Sequence, residues 1–355
     1  MMKSEQQWNP LPCPLCGNTG TFVPVKIPDR DDHIAQYGSL YRGKKKSEWK
    51  ICGTCGFVHQ NPRPTIEALN SFYLQAQYRE QLPVPEVASY AAFARWYYNE
   101  KVDYAISLSG LSGGTVFDVG CGYGATLLVF KEKGWNCLGV EADGRCCEYA
   151  REKLGLSGIT QGVLDSESQP EGGVDLVFSN HAFEHFADLD EVMQGITRIL
   201  KPGGFVMTAV PTYFENRSRM SKAWMNSAHY SLFTHRSLNQ LFSRHGLEEV
   251  SHTYRGWRKE VDDLWHIARF TGTRRDPTVF RENARDVSHY MHVVNPVRSF
   301  LYAPIYAGHA KRVQFFLRIS DIYSIFRKSP RTFPLKVARK IGKMIGVIPT
   351  NTLRP

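Results

Sequence analysis

The chain has 355 residues, of which 42% are hydrophobic and 22% are charged. This length predicts one large domain of about 150–200 residues with smaller attachments, and the composition excludes a largely disordered chain. No run approaches the roughly 18 consecutive apolar residues of a membrane-spanning helix, and the polar N-terminal residues lack the apolar stretch of a signal peptide. The sequence therefore predicts a cytoplasmic protein with a sizeable core.

The formal net charge of +10 is concentrated at one end of the chain. Residues 291–355 contain 12 of the 44 Lys and Arg residues but only one of the 34 acidic residues, Asp321. The other 290 residues therefore carry 32 basic and 33 acidic side chains. Because nucleic-acid binding calls for a basic patch on the folded body, this distribution disfavours nucleic acid as a partner without excluding it.

The first predicted segment, residues 1–62, carries a metal-binding pattern. Four of the eight cysteines form two CxxCG knuckles, at Cys13 and Cys16 and at Cys52 and Cys55. In a chain without an export signal, such pairs are typical of metal ligands rather than disulfides. Four thiolates make a closed tetrahedral site with no position for water. The sequence predicts a structural Zn²⁺ in a small zinc-ribbon-like module, with an unmetallated redox pair as the alternative.

The second segment, residues 63–110, has the pattern of helices. Thr65 is suited to cap a helix that begins after the prolines at 62 and 64. Val87 to Leu108 reads as a long, amphipathic, aromatic-rich helix that ends before the Gly110 to Gly114 break. We expect this longer helix to form a lid over a ligand cleft.

The third segment, residues 111–254, alternates short apolar runs with helical stretches. The runs are Thr115 to Val119, Asn136 to Val140, Gly158 to Gly162, Val174 to Ser179, and Gly204 to Val210. Five such runs predict an α/β fold, with a Rossmann-like doubly wound parallel sheet and helices on both faces. In such sheets the ligand lies beyond the carboxyl ends of the strands.

A glycine-rich loop follows the first of these runs, in the order Asp118, Gly120, Gly122 and Gly124. Glycines let a backbone pass close to a ligand and adopt positive φ, although this pattern alone is also that of an ordinary strand-to-helix turn. At the end of the second run, 17 residues after Gly124, stands Glu141. A carboxylate there can accept both hydroxyls of a ribose.

In combination these motifs resemble the class I S-adenosylmethionine-dependent methyltransferases, over roughly Val116 to Val250. FDVGCGYG is similar to the family's first motif, GVEAD to its second, and HAFEHFADLDEVMQGITRILKPGGFVMTAVP to the segment around its fourth and fifth strands. The resemblance implies S-adenosylmethionine as cofactor. It implies that Asp118, Gly120, Gly122 and Gly124 surround the methionine part, Glu141 holds the ribose, Val163 and Leu164 flank the adenine, and Asn180 and His181 line the floor where cofactor and acceptor meet.

Methyl transfer needs positioned reactants and at most one base, and the sequence offers few candidates. His181 and Glu184 follow the fourth strand, and His229 precedes a stretch that resembles the family's post-core segment, with Thr234 as a helix N-cap. His229, His181 and Glu184 are the predicted catalytic residues. The alternative for His229 is a loop histidine that bonds only backbone, and for Glu184 a helix-start residue that satisfies amides.

The acceptor is less constrained by the sequence. The fourth strand lacks the Asn/Asp-Pro-Pro-aromatic motif of base amine methyltransferases, and no Pro-Cys nucleophile of the cytosine-C5 type is present. The four-cysteine module before the core resembles bacterial deoxysugar C-methyltransferases, which implies a small-molecule acceptor such as a sugar or glycan-pathway intermediate. Zinc-containing ribosomal-RNA methyltransferases supply one alternative, and a non-catalytic binding protein that retains the fold supplies another.

The last predicted segment, residues 255–355, is a basic, aromatic and helical extension. Between Leu335 and Ile348 a helical wheel places Lys336, Arg339, Lys340 and Lys343 opposite an apolar face. Such a helix suits an anionic membrane surface at the inner face of the membrane. A helix packed on the core, or contact with RNA or another acidic partner, are the alternatives.

Overall fold

The computed structural model describes residues 8–9, 11–25, 48–75, 84–164, 171–212, 225, 228–255 and 263–294. The strands are β1 (Trp8–Asn9), β2 (Phe22–Pro24), β3 (Trp49–Cys52), β4 (Val58–Gln60), β5 (Arg63–Pro64), β6 (Thr115–Val119), β7 (Asn136–Glu141), β8 (Gly158–Gln161), β9 (Val174–Asn180), β10 (Leu200–Pro211), β11 (Ser231–Leu232), β12 (Leu247–Arg255) and β13 (Asp263–Phe270). The α-helices are α1 (Ile66–Leu74), α2 (Val87–Ser109), α3 (Ala125–Glu132), α4 (Gly144–Leu154), α5 (Leu189–Ile199), α6 (His235–Arg244) and α7 (Ala284–His289).

Seven strands form the central sheet, in the order β12-β13-β10-β9-β6-β7-β8. β6 to β10 are parallel and β13 runs antiparallel between β10 and β12. The predicted α/β, Rossmann-like class is confirmed, and the five predicted strands correspond to β6–β10. β6 is an interior strand of the sheet, so its buried residues are covered on both faces. The order of the strands along the sheet reverses direction after β6, and ligands of such sheets bind at the carboxyl ends of the strands at this point.

The predicted boundary after residue 254 does not coincide with the edge of the sheet. β13, expected to belong to a helical extension, pairs with β10 from Phe205↔Arg269 to Pro211↔Asp263. Its residues from Asp263 to Ala268 are all buried. A strand covered on both faces lacks the alternation of polar and apolar residues that marks a half-exposed strand, which is why the sequence pattern missed it.

The prediction that the long helix forms the lid is wrong. α2 instead packs on α3 and the sheet, with Ala94, Val102 and Ala105 buried in the core. The shorter α1, capped by Thr65 as predicted, reaches over the cleft instead. Among the described helices, none has both the length and the apolar character needed to cross a membrane.

The N-terminal module is built into the core rather than attached beside it. Its strands β2, β3 and β4 form a small sheet whose fourth strand, β11, comes from the segment after the core strand β10. Ser231 pairs with His59 and Leu232 with Val58. The two parts of the chain therefore share one sheet. The predicted basic helix, Leu335 to Ile348, lies outside the described residues.

Candidate functional site

A cavity of about 400 Å³ opens at the carboxyl edge of the central sheet. Its walls come from α1, from the ends of β6 and β7, from the loop after β8 and from the turn after β9. The lining residues with a predicted role are Gly120, Glu141, Val163, Leu164 and His181. Ligands of open parallel sheets bind at this edge, and the cavity size suits a small organic molecule.

The carboxylate of Glu141 joins the two loops that form the cofactor half of this cavity. Its Oε2 atom accepts a hydrogen bond from the Gly122 amide at 2.8 Å, and Oε1 accepts one from the Asp143 amide at 3.0 Å. Gly120, at φ 75°, presses against Ala182, where an added Cβ would lie 2.9 Å from that methyl group. The loop can take this path only because Gly120 has no side chain.

Four residues predicted to contact the cofactor lie outside the lining of this cavity. Asp118, Gly122, Gly124 and Asn180 are not among the residues that line the cavity. At Gly124, which precedes α3 with φ 85°, an added Cβ would lie 2.6 Å from Leu156. The structure therefore assigns Gly124 to the packing of α3 rather than to the cavity wall.

Asp118 is a buried acid at the base of the glycine loop. It is 2% exposed, and its burial, together with the nearby Glu141, raises the pKa of the carboxyl to about 8 despite a hydrogen bond with Thr126. A neutral Asp118 is thus favoured in the cofactor-free protein.

The structure brings the three predicted catalytic residues together, with His181 in the cavity wall and Glu184 and His229 buried beside it. His181 turns out of β9 with φ 53°, the single positive φ among the described non-glycine residues. Its Nδ1 atom lies 3.4 Å from Oε1 of the fully buried Glu184. The Nε2 atoms of His185 and His229 lie 4.0 Å from the same oxygen. Strained backbone beside clustered titratable groups is typical of functional sites.

Sequence reasoning missed two buried charged residues that lie next to His181 and Asn180, outside the cavity lining. Lys101, on the buried stripe of α2, donates to Asn180 Oδ1 at 2.5 Å and to Asp263 Oδ2 at 2.9 Å. Asp263, the first residue of β13, has its Oδ1 atom 3.0 Å from His181 Nε2. Lys101 falls on the same face of α2 as the buried Ala94 and Val102. This position of a lysine is the one sequence signal that could have revealed it. We call Lys101, His181, Glu184, His229 and Asp263 the acceptor end, because the resemblance predicts that His181 lines the floor where cofactor and acceptor meet.

The charges at the acceptor end shift one another's protonation. Burial alone would lower the pKa of His181, but Asp263 and Glu184 outweigh it and raise that pKa to about 10. Burial would raise the pKa of Asp263, yet His181 and Lys101 hold it below its usual range. These neighbours keep the buried carboxylate of Asp263 ionised.

The N-terminal module holds His229 in place. The Gln60 side chain donates from Nε2 to the His229 carbonyl at 2.5 Å. The next residue, Tyr230, donates its amide to the Glu184 carbonyl at 2.7 Å, and its own carbonyl accepts from the Gln60 amide. His229 is therefore clamped between β4 and the turn that carries Glu184.

The four knuckle cysteines converge in the N-terminal module. The Sγ atoms of Cys13 and Cys55 lie 3.7 Å apart, and those of Cys16 and Cys52 lie 3.6 Å apart. All four sulfur atoms lie within 4.8 Å of one another. The knuckle turns require Gly17 and Gly56, which have φ of 72° and 74°. The other four cysteines lie in the central domain.

The seven-stranded sheet, with one antiparallel strand inserted and a glycine loop after its central strand, defines the class I methyltransferase fold. Residues 90–252 match the model of a methyltransferase domain. The chain therefore carries a methyltransferase domain of this class.

The relatives match part of the chain. C-methyltransferase NovU of Streptomyces niveus is 30% identical over 169 residues, which cover 46% of this chain and 40% of that protein. The ubiquinone biosynthesis O-methyltransferase of Pectobacterium atrosepticum is 31% identical over 121 residues, or 33% of this chain and 48% of that protein. The chain thus spans less than half the length of these two relatives. Geranyl diphosphate C-methyltransferase of Streptomyces coelicolor aligns at a TM-score of 0.42 and 14% identity, over 53% of this chain and 83% of that one.

Proposed function

We propose that this protein binds S-adenosylmethionine in the cavity and transfers its methyl group to a small-molecule acceptor. The observation that carries the proposal is the composition of the cavity wall. Glu141, with Val163 and Leu164, lies in one part of the wall, and His181 lies in another. A carboxylate suits ribose hydroxyls, and apolar side chains suit the faces of an adenine ring.

The acceptor end supplies what the transfer needs beyond the cofactor. When bound, the cofactor would supply a methyl group activated by a sulfonium. The bond from its carbon to the acceptor nucleophile would form as the bond to sulfur breaks, with the electron pair left on sulfur. The proton of the acceptor would pass to the imidazole of His229, because His181, whose pKa is raised to about 10, already holds its own proton. Glu184 lies beside both rings and compensates the positive charge that results.

A sugar or glycan-pathway intermediate is the acceptor class we propose. Support comes from the four-cysteine module before the core and from the match to a relative named as a C-methyltransferase. The cavity also disfavours RNA, the alternative acceptor. Among the described residues, those that line it include the acids Glu141, Asp188 and Glu191 but no Lys or Arg, whereas RNA sites present basic side chains.

We further propose that the knuckle cysteines hold one structural Zn²⁺. Zn–S bonds of about 2.3 Å place tetrahedral sulfur atoms ~3.8 Å apart. The separations of 3.7 Å and 3.6 Å for two of the sulfur pairs are close to this value, and all four sulfur atoms lie within 4.8 Å of one another. Four thiolates leave no coordination position for an acceptor, so the ion would stabilise the module and take no part in the transfer.

Calorimetric titration with S-adenosylhomocysteine tests the cofactor site. We expect micromolar binding by the wild type and loss of at least about tenfold in affinity for Glu141→Ala, because a ribose would lose its charged acceptor. Glu148→Ala, which changes an exposed acid on α4, is the matched control. Absence of binding by folded wild type would overturn the enzyme proposal. Binding would justify screening sugar nucleotides and RNA with labelled cofactor.

A further inference from the structure

Glu184 is a buried carboxylate whose environment is incomplete. Its side chain is fully buried, and among the described residues three histidine rings approach Oε1, His181 through Nδ1 at 3.4 Å and His185 and His229 through Nε2 at 4.0 Å each. His181 helps to keep the pKa of this carboxyl below its usual range, but none of the described residues makes a well-formed hydrogen bond to either oxygen. Leaving a buried ionised group without hydrogen bonds is costly, so such a group calls for a direct partner.

Two imidazoles face this carboxylate with the same ring atom. The Nε2 atoms of His185 and His229 each lie 4.0 Å from Glu184 Oε1, and the three ligand atoms lie within 4.8 Å of one another. A cation about 2.1 Å from each ligand would place them about 3.4 Å apart, a contraction within the reach of small side-chain rotations. Two histidines and one carboxylate form a common set of protein ligands for first-row divalent metals.

The hydrogen-bond partners of His185 orient its ring as a metal ligand would be oriented. His185 Nδ1 lies 3.0 Å from the Ala228 carbonyl, to which it donates, and this bond directs Nε2 toward Glu184. The hydroxyl of Tyr73 lies 3.2 Å from the same Nδ1 atom. A second-layer carbonyl of this kind selects the tautomer that a metal-bound histidine needs.

The backbone holds the ligands in register with one another. Tyr230, next to His229, donates its amide to the carbonyl of Glu184. Glu184 and His185 are consecutive residues of one helical turn, so all three ligands are tied to a single rigid junction.

We propose that Glu184, His185 and His229 bind a divalent first-row metal ion, with Zn²⁺ as the best match to this ligand set. His185 also lines the cavity, so the ion could enter from there and would direct an open coordination position toward it. The site is separate from the four-cysteine cluster, which is closed by its own ligands.

The role of this ion rests on the proposed methyl transfer, although its binding does not. Three protein ligands leave a position for an oxygen of the acceptor, which the ion would orient and whose proton it would acidify. His229 would then serve as a ligand through its Nε2 lone pair rather than as the base, and the acidified proton of the acceptor would pass to water in the open cavity.

Titration with Zn²⁺ alone, without cofactor or acceptor, tests the site. The full chain is first loaded with one equivalent of zinc and then titrated calorimetrically. We expect a second equivalent to bind to the wild type and to His289→Gln, an exposed-histidine control on α7. Glu184→Gln and His185→Gln should each weaken this step at least about 100-fold. His185 is 26% exposed, so its variant keeps the test valid if the buried Glu184 variant fails to fold.

Co²⁺ added to the zinc-loaded protein identifies the ligands. We expect visible bands without the intense charge-transfer absorption of cobalt thiolates, and their loss in His185→Gln. A wild type that stops at one metal equivalent, or variants that bind the second ion as the wild type does, would overturn the proposal. Because these readouts need no cofactor, a failure here is distinguishable from failure to bind S-adenosylhomocysteine.

Discussion

The two ends of the cavity are built in different ways. The cofactor half takes Gly120, Glu141 and the pair Val163 and Leu164 from consecutive strand ends of one parallel unit. The acceptor end takes Lys101 from α2, Asp263 from β13 and His229 from a segment that the N-terminal module clamps. Local strand-to-helix turns can form a binding surface, whereas the acceptor end exists only when distant parts of the chain are packed together. The two ends should therefore respond differently to perturbation.

Loss of the metal from the knuckle cysteines should have the largest effect and separate the two ends. Structural zinc sites contribute apparent binding energies of about 10–16 kcal/mol, so Cys55→Ser or chelation should unfold the module. The sheet partner of β11 would then be lost. We expect hydrogen exchange to accelerate strongly at residues 228–232 while β6 keeps its protection.

Cys137→Ser, which changes a cysteine outside the knuckles, provides the control for metal loss. Its exchange profile around β11 should match that of the wild type. Equal protection of β6 and β11 after verified metal loss would contradict the proposed dependence of the acceptor end on the module.

Lys101→Met should cost about 3 kcal/mol of unfolding free energy, because it leaves the buried charge of Asp263 with one cationic partner fewer. The Lys101 and Asp263 side chains are only 3% and 5% exposed. Arg95→Met, on the same helix, breaks the exposed pair with Glu132 and should cost no more than about 1 kcal/mol. Denaturant unfolding measures both. Comparable losses in the two variants would show that the acceptor end gains nothing from this buried pair.

Asp118→Asn should change how stability depends on pH in the cofactor-free protein. The folded-state pKa of about 8 lies above the ordinary value of 3.8, so between these values the unfolded chain binds fewer protons. Stability conferred by the protonated carboxyl is then lost as pH rises, by up to about 1.4 kcal/mol per pH unit. The variant should lack this slope, and the exposed-site variant Asp103→Asn should retain it. Unfolding curves measured at several pH values give the free energy of unfolding of each protein and test this prediction.

Gly124→Ala should give the smallest effect and distinguish packing from binding. Its methyl group would meet Leu156, whereas at Gly134, which has the same φ of 85°, an added Cβ meets nothing within 4 Å. We expect Gly124→Ala to be about 2 kcal/mol less stable than Gly134→Ala. Because both glycines have the same φ, this difference in unfolding free energy measures overpacking against Leu156 and not backbone strain. The folded Gly124→Ala protein should still bind S-adenosylhomocysteine. A selective loss of that binding would return Gly124 to the cofactor site.

The strands and turns of the parallel unit were predictable because their causes are local. Buried apolar runs of five or so residues followed by glycines or caps specify β6 to β10, and Thr65 and Thr234 mark helix starts through their own side chains. β13 was missed because a strand buried on both faces has no alternating pattern. The lid was assigned to α2 because aromatic content does not reveal which face of a helix is covered.

The sequence by itself determined the class of fold, the glycine loop, the position of Glu141 and the pairing of the cysteine knuckles, since each depends on residues close together in the chain. Only the tertiary structure decided that Gly124 serves packing and that α1 rather than α2 covers the cavity. It also brought Lys101 and Asp263 to His181, and His229 to Glu184. Those contacts join residues separated by 45 to 162 positions, and no periodicity reports them because they arise from how helices and strands pack. The arrangement of charges around His181 is therefore a product of packing.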